Sequence, residues 1–290
     1  MPVPLVENAP AKVNLTLRVL KRRDDGYHEL ESLVAFADFG DRLSFVRGGS
    51  LGLTVRGPGA SQIGAGDDNL VVKAARALAA RRPGIELGAF RLDKRLPVAA
   101  GLGGGSADAA AALRLIARVN GLAPDDPNLH AAARATGADV PVCLDPRGRI
   151  MRGIGEVLSA PLELPPLPAV LVNPGVALAT KAVFARWRPA AVIKRTLEDA
   201  AVAQLKNPGQ LLGLLAQQSN DLEEPAMQLQ PVIADVLGVL RALAGCKLVR
   251  MSGSGATCFA LFTATTAARA AARLLRDRHR NWWVRATVLG

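Results

Sequence analysis

The chain has 290 residues, half of them apolar and 21% charged, and its formal net charge is +11. This length predicts two domains, and the composition is typical of a soluble globular protein. The three cysteines, at positions 143, 246 and 258, include no CxxC pair. Their number and spacing argue against a disulfide framework and a zinc site, and they favour a reducing, cytoplasmic compartment.

Neither a secretory signal nor a membrane-spanning helix is predicted. The first residues place no basic region before an apolar stretch. The segment 164–180 lacks charge but contains four prolines, and the segment 251–268 is rich in Gly, Ser and Thr. Neither composition is typical of a spanning helix, so we expect a soluble protein without a membrane partner.

Strands and helices are intermixed along the chain, without the strict alternation of a parallel doubly wound sheet. This mixture predicts the α+β class. Strands are predicted at 11–20, in two segments of 41–57 joined by a glycine turn, at 85–96 and at 168–174; helices are predicted at 68–80, 106–119, 211–215 and 232–243. The segment 247–262 has strand-like ends around a second turn that contains glycines.

The stretch PVAAGLGGGSADAAAALRLIARVNG, from Pro97, places four glycines directly before a run typical of a helix. Glycine costs backbone entropy, so such a cluster indicates unusual dihedral angles or close approach. Freed backbone N–H groups and a helix start both favour an anion, which predicts a phosphate cradle. The loop lacks the lysine of a Walker A motif, and Ser106 stands where a dinucleotide fingerprint needs its third glycine. A purely structural turn remains the alternative.

Five blocks of sequence carry a family resemblance. They are APAKVNLTLRVLKRRDDGYHELESL from Ala9, LPVAAGLGGGSADAA from Leu96, GADVPVCL from Gly137, NPGVALAT from Asn173 and MSGSGATCFALF from Met251. In this order they resemble the GHMP kinase superfamily across most of the chain. The glycine loop alone indicates only the superfamily, whereas DGYH together with GADVP is similar to the branch whose acceptor is a cytidylated sugar alcohol.

The resemblance implies a fold and an activity. The fold would have two domains: residues 1–155, which bind ATP and contain a left-handed β-α-β crossover, and residues 156–290, which are ferredoxin-like, with the active site between them. The activity would be phosphorylation by ATP of the 2-hydroxyl of diphosphocytidyl-methylerythritol, in the non-mevalonate route to isoprenoid precursors. Both partners are then small molecules, and the sequence leaves the oligomeric state open.

The resemblance also assigns catalytic and nucleotide-binding residues. Asp139 would accept the proton of the attacking hydroxyl, as a true base or through electrostatics, and Lys12 would lie beside it. Without the resemblance, the alternatives are an N-cap or turn aspartate for Asp139 and a solvated strand lysine for Lys12. The loop that would wrap the ATP phosphates comprises Pro97, Val98, Ala99, Ala100, Gly101, Leu102, Gly103, Gly104, Gly105, Ser106 and Ala107.

Five further residues are expected to bind the acceptor. Tyr27 would stack on the cytosine ring, His28 would hydrogen-bond the edge of the base, and Phe184 would close the other side. Asn14 and Thr180 would contact the methylerythritol or its diphosphate. Phe184 as an ordinary core residue stays an alternative.

Three further features of the sequence concern the metal ion, a second turn and one departure from the family pattern. No carboxylate set for Mg²⁺ stands out, so the metal is expected to arrive with ATP, with the Ser106 hydroxyl as one candidate ligand. The turn at 253–255 would support the phosphate loop, or it is a structural turn only. Lys21 replaces a glycine often found in the family, which should alter only a loop.

Two other functions remain open. Another GHMP kinase, such as a mevalonate or homoserine kinase, would share the loop, but DGYH argues against an acceptor without a pyrimidine. A nucleic-acid-binding protein would fit the net charge and the basic ridge Arg269, Arg273, Arg276 and Arg280. We favour a solvated helix face for this ridge, with Leu274 and Leu275 on the apolar side, and expect no nucleic-acid partner.

Overall fold

A computed structural model of the chain describes residues 4–189 and 196–290. These residues form two compact units, each assembled from separate parts of the chain. The first unit consists of the residues up to 12, 39–98 and 103–146, and the second unit consists of 13–38, 99–102 and 147–290. The division expected near residue 155 stays a prediction about the family domains.

The described residues form eleven strands and ten α-helices. The strands are β1 (Leu5–Asn14), β2 (Arg18–Arg22), β3 (His28–Arg47), β4 (Gly52–Arg56), β5 (Gly88–Asp93), β6 (Arg149–Gly153), β7 (Val157–Leu158), β8 (Leu167–Asn173), β9 (Leu248–Met251), β10 (Cys258–Leu261) and β11 (Trp283–Leu289). The helices are α1 (Leu70–Arg81), α2 (Gly104–Val119), α3 (Pro127–Thr136), α4 (Val140–Leu144), α5 (Thr180–Arg186), α6 (Asp199–Ala203), α7 (Pro208–Ala216), α8 (Glu223–Leu229), α9 (Val232–Arg241) and α10 (Thr265–Arg278).

The first unit contains a β-α-β element built from β4, α1 and β5. β4 and β5 pair in parallel, and β5 pairs antiparallel with residues 42–47 of β3. The two strands predicted within 41–57 are therefore present, but β5 lies between them and they form no hairpin. Burial of Leu43, Phe45, Phe90 and Leu92 holds this arrangement together.

Two predicted helices of the first unit, α1 and α2, are present and pack against each other. The Asn69 side chain accepts a hydrogen bond from the backbone N–H of Val71 at the start of α1. α2 packs against α1, and the alanines at positions 109–112 of α2 are fully buried. Small side chains let the two helices approach closely, and the sequence predicted both helices to within two residues at each end.

The second unit contains a four-stranded antiparallel sheet in the spatial order β11, β8, β10, β9. Numbered along the chain, this order is 4-1-3-2, with helices between β8 and β9 and α10 between β10 and β11. That connectivity is the ferredoxin-like arrangement implied by the family resemblance. All seven residues of β8 are buried, as expected for its unbroken apolar run.

Three arginines of the basic ridge lie on α10 as a solvated face, and Arg280 lies beyond the end of this helix. Arg269, Arg273 and Arg276 are exposed, while Leu275 is buried at 1% exposure. The prediction that Leu274 shares the apolar side is wrong, since its side chain is 39% exposed. Side chains at adjacent helix positions point in directions about 100° apart. The buried side of α10 is formed by Ala268, Ala271, Ala272 and Leu275, and Leu274 lies outside it.

The strand predicted at 11–20 is interrupted in the structure. β1 ends at Asn14, and β2 begins at Arg18. Between them, the backbone N–H of Leu15 donates to the carbonyl of Leu33, and Leu17 forms an isolated bridge with Asn220. Within residues 4–189 and 196–290, the structure contains no helix long and apolar enough to cross a membrane.

Candidate active site

The glycine loop connects β5 to α2 through a series of left-handed backbone conformations. Ala99, Gly101 and Gly103 have φ angles of 50°, 75° and 61°. Glycine adopts such angles without strain, which accounts for two of these positions. Gly103 is the N-cap of α2 and makes no side-chain cap, and the first turn contains no acidic residue. The backbone N–H groups that start a helix lack intrahelical partners, so this end of α2 is suited to an anion.

The second unit holds residues 99–102 of the loop against the turn that follows β9. The Ser252 hydroxyl donates to the carbonyl of Gly101 over 2.8 Å, and the Thr257 N–H donates to the carbonyl of Ala100 over 3.1 Å. A Cβ on Gly101 would lie 2.3 Å from the carbonyl oxygen of Ser252. The loop therefore requires glycine here for close packing as well as for its φ angle. Residues 253–255 belong to the turn that contacts the glycine loop, since a Cβ on Gly253 would lie 3.2 Å from the carbonyl oxygen of Gly101. This contact agrees with the first of the two alternatives, in which the turn supports the loop.

Lys12 and Asp139 form an ion pair within the first unit. Lys12 Nζ lies 3.1 Å from the Asp139 carboxylate; the lysine side chain is 4% exposed and the aspartate side chain 38%. Asp139 is the N-cap residue of α4, but its side chain makes no capping hydrogen bond. The alternative of a solvated strand lysine is therefore wrong for Lys12, whereas Asp139 does lie in a turn at the N-cap position without making the capping hydrogen bond. The carboxylate faces a buried cation on one side and remains accessible on the other.

Lys12 also packs beneath the glycine loop. A Cβ on Gly103 would lie 3.1 Å from Cε of Lys12. Because Gly103 has no side chain, Lys12 lies against the first turn of α2, where an anion is favoured. The glycine loop contains no lysine of its own. Lys12 in β1, about 90 residues earlier in the chain, supplies the positive charge instead.

A second lysine lies beneath the same helix start and was missed in the sequence. Lys94 Nζ contacts the carboxylates of Asp41 and Asp108, the latter at 2.7 Å, and all three side chains are at most 4% exposed. Asp41 also accepts hydrogen bonds from the N–H groups of Arg95 and Leu96, at 2.6 and 2.8 Å. Burial lowers the pKa of Lys94, but the two carboxylates outweigh it, and the net shift is upward.

An aromatic cluster in the second unit is built around His28, the first residue of β3. Its ring lies 4.9 Å from that of Phe184 and 5.6 Å from that of Trp187, the latter edge to face. Burial, with a contribution from Arg22, lowers the pKa of His28, so the ring is neutral at neutral pH. A neutral imidazole offers one donor and one acceptor.

The other predicted acceptor residues lie in the same unit. Tyr27 is 60% exposed, which leaves its ring accessible. Phe184 is half-buried and packs against the apolar core. Part of its ring therefore belongs to the core, as the alternative to a binding role expected, and part is accessible. Asn14 is buried and donates to the Ser32 hydroxyl over 2.7 Å, and the Thr180 and Ser254 hydroxyls are 2.8 Å apart.

Two positioning residues near these groups were not singled out in the sequence. The Asn220 amide donates to the carbonyls of Met251 and Gly253, at 2.8 and 2.7 Å. The buried Arg250 guanidinium donates to the carbonyls of Leu15, Leu215 and Gln218. Burial lowers the pKa of Arg250 to about 10. Only long-range backbone geometry identifies these roles, and no local motif signals them.

The described parts of the chain, 4–189 and 196–290, hold no group of three or more His, Cys, Asp or Glu side chains placed for a metal ion. Mg²⁺ prefers carboxylate, hydroxyl and phosphate oxygens. Ser106 lies in the first turn of α2, and the carboxylate of Asp139, the partner of Lys12, is 38% exposed.

Comparison with known proteins identifies the family. The model for the GHMP kinases N terminal domain matches residues 69–145, and that for the GHMP kinases C terminal domain matches residues 197–281. A 4-diphosphocytidyl-2-C-methyl-D-erythritol kinase of Methylobacterium radiotolerans is 58% identical over 98% of this chain and 99% of its own.

Solved structures agree with this assignment. The crystal structure of a 4-(cytidine 5'-diphospho)-2C-methyl-D-erythritol kinase matches with a TM-score of 0.78 and 40% identity, over 99% of each chain. A homoserine kinase from Cytophaga hutchinsonii has a TM-score of 0.69 over 100% of this chain and 95% of its own, but at 23% identity it shows only the shared fold. Membership in a kinase family implies ATP as the phosphoryl donor and a small-molecule acceptor. The chain belongs to the GHMP kinase family, in the group of its 4-diphosphocytidyl-2-C-methyl-D-erythritol kinase relatives.

Proposed function

We propose that this protein transfers the γ-phosphoryl group of ATP to the 2-hydroxyl of 4-diphosphocytidyl-2-C-methyl-D-erythritol, in the non-mevalonate route to isoprenoid precursors. The observation that carries the proposal is the Lys12–Asp139 pair, which joins a buried cation to an accessible carboxylate at 3.1 Å. Phosphoryl transfer needs little more from a protein than positioning and charge stabilisation. The names of the relatives at 56–58% identity support the choice of acceptor.

The loop from Pro97 to Ala107 binds the ATP phosphates in this proposal. The uncapped first turn of α2 supplies N–H donors and the positive end of the helix dipole. The Lys12 side chain beneath Gly103 adds a full positive charge. Together these groups stabilise the negative charge that is spread over the phosphoryl oxygens during transfer.

Asp139 orients the attacking hydroxyl and receives its proton. Its exposure of 38% leaves room for an alcohol to approach the carboxylate. The ammonium of Lys12 balances the charge of the carboxylate and the developing charge of the alkoxide. Mg²⁺, when bound with ATP, supplies further neutralisation of phosphate charge, and the Ser106 hydroxyl is the side chain we propose as its ligand.

The cytidine part of the acceptor binds at Tyr27, His28 and Phe184 in this proposal. Tyr27 offers an exposed ring for stacking on a pyrimidine. The neutral His28 ring, in contact with the rings of Phe184 and Trp187, complements a base edge that presents both donors and acceptors. Asn14 and Thr180 contact the sugar alcohol or its diphosphate. Use of ATP and free cysteines favour the cytoplasm as the location.

A coupled ADP-release assay tests the proposal directly. Diphosphocytidyl-methylerythritol, mevalonate and homoserine are offered to the protein side by side with ATP. We expect turnover with the cytidylated acceptor at least about a hundredfold above the other two, because only it can use the aromatic cluster. Equal or better turnover with mevalonate or homoserine would assign another acceptor. Salt-sensitive RNA binding without ADP release would instead favour a nucleic-acid-binding protein.

A further inference from the structure

Residues 219–221, between α7 and α8, contact two parts of the second unit that the proposed function assigns to different substrates. One part is the turn after β9, which holds residues 99–102 of the glycine loop. The other part is β2, which precedes the turn that contains Tyr27. Leu17, just before β2, forms a parallel bridge with Asn220. One short segment is therefore placed to affect both substrate-binding parts.

The Asn220 side chain holds the turn after β9. It is 5% exposed, and its amide nitrogen donates to the carbonyls of Met251 and Gly253, at 2.8 and 2.7 Å. Its amide oxygen accepts from the N–H of Leu222 over 2.9 Å, which fixes the orientation of the amide. Met251 and Gly253 flank Ser252 in the chain, so the amide restrains the backbone on both sides of that serine.

The Ser252 side chain connects this turn to the glycine loop. It is fully buried, and its hydroxyl accepts from the N–H of Asn14 over 3.0 Å and donates to the carbonyl of Gly101 over 2.8 Å. In a planar trans peptide the carbonyl and the N–H point in opposite directions. A fixed Gly101 carbonyl therefore directs the N–H of Leu102 away from the turn, and such oriented N–H groups are what a loop offers to phosphate oxygens.

The Asp221 carboxylate holds the start of β2 instead. Its Oδ2 accepts from the N–H of Val19 over 3.0 Å, and its Oδ1 accepts from the Ser219 hydroxyl over 2.8 Å. The N–H of Asp221 also donates to the carbonyl of Leu17 over 2.8 Å. β2 pairs antiparallel with β3, which begins at His28. The contacts of Asp221 thus fix the strand that leads to the acceptor-binding turn.

We propose that Asn220 and Asp221 are positioning residues, each for a different substrate. Asn220 sets the glycine loop for ATP through the Ser252 hydroxyl. Asp221 sets the turn at Tyr27 for the cytidylated acceptor through β2. The inference deepens the proposed function and rests on its assignment of the two substrates to these parts. A merely structural segment would instead weaken the binding of both substrates together.

Two measurements separate the roles: calorimetric binding of the ATP analogue AMP-PNP with Mg²⁺, without any acceptor, and KM for diphosphocytidyl-methylerythritol at saturating ATP. Asn220→Ala should raise the dissociation constant of AMP-PNP about tenfold and KM for the acceptor less than about twofold, since its lost hydrogen bonds act on the loop. Asp221→Ala should show the reverse pattern. Asp221→Asn keeps an oxygen that can accept from the N–H of Val19, so both constants should stay within about twofold of the unmodified protein.

Asn120→Ala is the matched control, because the Asn120 amide also makes three hydrogen bonds to backbone groups, but at the C-terminal end of α2. It should leave both constants unchanged. Ser252→Ala removes only a hydroxyl and covers the case in which Asn220→Ala fails to fold; it should weaken AMP-PNP binding about fivefold. The double variant should bind AMP-PNP no more than about twofold more weakly than Asn220→Ala, because both changes act on one contact.

Hydrogen exchange followed by mass spectrometry gives a readout that does not depend on activity. Asn220→Ala should speed exchange in peptides that contain 99–104, and Asp221→Ala in peptides that contain 18–28. Equal effects of the two variants on both regions, or unchanged AMP-PNP binding in Asn220→Ala and Ser252→Ala, would contradict the inference and leave the proposed function standing. Absence of ADP release with every acceptor contradicts the proposed function, whereas the exchange pattern still supports or overturns the separate roles of Asn220 and Asp221.

Discussion

Two lysines lie under consecutive glycines at the start of α2, and they differ mainly in what surrounds their partners. Lys12 beneath Gly103 pairs with Asp139, whose side chain is 38% exposed. Lys94 beneath Gly104 pairs with Asp41 and Asp108, which are sealed from solvent. The same pair of chemical groups can act on a substrate in the first case and can only position backbone in the second. Solvent access to the Asp139 carboxylate is therefore what distinguishes a pair that can act on a substrate from a cluster that only supports the structure.

The largest expected effect comes from removing the accessible carboxylate. Asp139→Asn should lower turnover about a thousandfold, because the hydroxyl loses its proton acceptor and the partner of Lys12. AMP-PNP binding should stay within a few-fold, since the loop and Lys12 remain. Steady-state kinetics and calorimetry measure the two effects, with Asp125→Asn as the control. Near-normal turnover in Asp139→Asn would remove this residue from the mechanism.

Replacing the sealed lysine should mainly reduce stability. Lys94→Met leaves two buried carboxylates without their cation, and we expect a loss of about 3 kcal/mol in the free energy of unfolding. Lys12→Met should cost about 1 kcal/mol or less, because solvent reaches Asp139. Urea denaturation of both variants measures the difference. Equal losses would show that the two lysines are not distinguished by burial.

The residues assigned to the two clusters differ in how far the sequence could identify them. Lys12 and Asp139 lie in recognisable blocks, so family resemblance pointed to them, although their roles stay predictions. Asp41 and Asp108 lie 53 and 14 positions from Lys94, outside any spacing rule, and only the fold brings them together. Elements with strong local signals, such as the apolar β8 and the alanine-rich α2, were predicted correctly.

The errors of the sequence analysis have a similar origin. The placement of β5 between β3 and β4 depends on a parallel crossover, whereas a glycine turn between two strands locally suggests adjacency. Leu274 and Leu275 are equally apolar, and packing against the sheet of the second unit decides which of them is buried. Local patterns predict the elements, and long-range packing selects their neighbours.

Alanine substitutions at Gly103 and Gly104 test whether Lys12 and Lys94 have different roles. Gly103→Ala forces alanine to a φ of 61° and pushes on Lys12, so we expect a loss of about 2 kcal/mol in stability and a lower kcat. Gly104→Ala avoids the unusual φ angle and presses on Lys94 instead. Its kcat should therefore be closer to that of the unmodified protein. The ratio of the two kcat values is the measurement, and a ratio near one would contradict separate roles.

The smallest expected effect lies away from both lysines. Tyr27→Leu should raise KM for the cytidylated acceptor about fivefold, because a flat stacking partner is lost from an exposed position. KM for ATP should not change. Leu20→Ala, in β2 before the turn that contains Tyr27 and 41% exposed, is the control for general loss of surface contacts. An unchanged KM for the acceptor in Tyr27→Leu would argue against stacking.

The chain crosses between its two compact units five times, after residues 12, 38, 98, 102 and 146. During synthesis, the strands of the second unit at 13–38 leave the ribosome long before the helices and strands after 147 that complete their packing. Folding of that unit must therefore wait for nearly the whole polypeptide, unlike a domain that folds as soon as it is made. Neither unit is one continuous stretch of the chain, and every fragment that spans one unit also carries part of the other, so truncated forms should be degraded or aggregate rather than persist as separate folded halves.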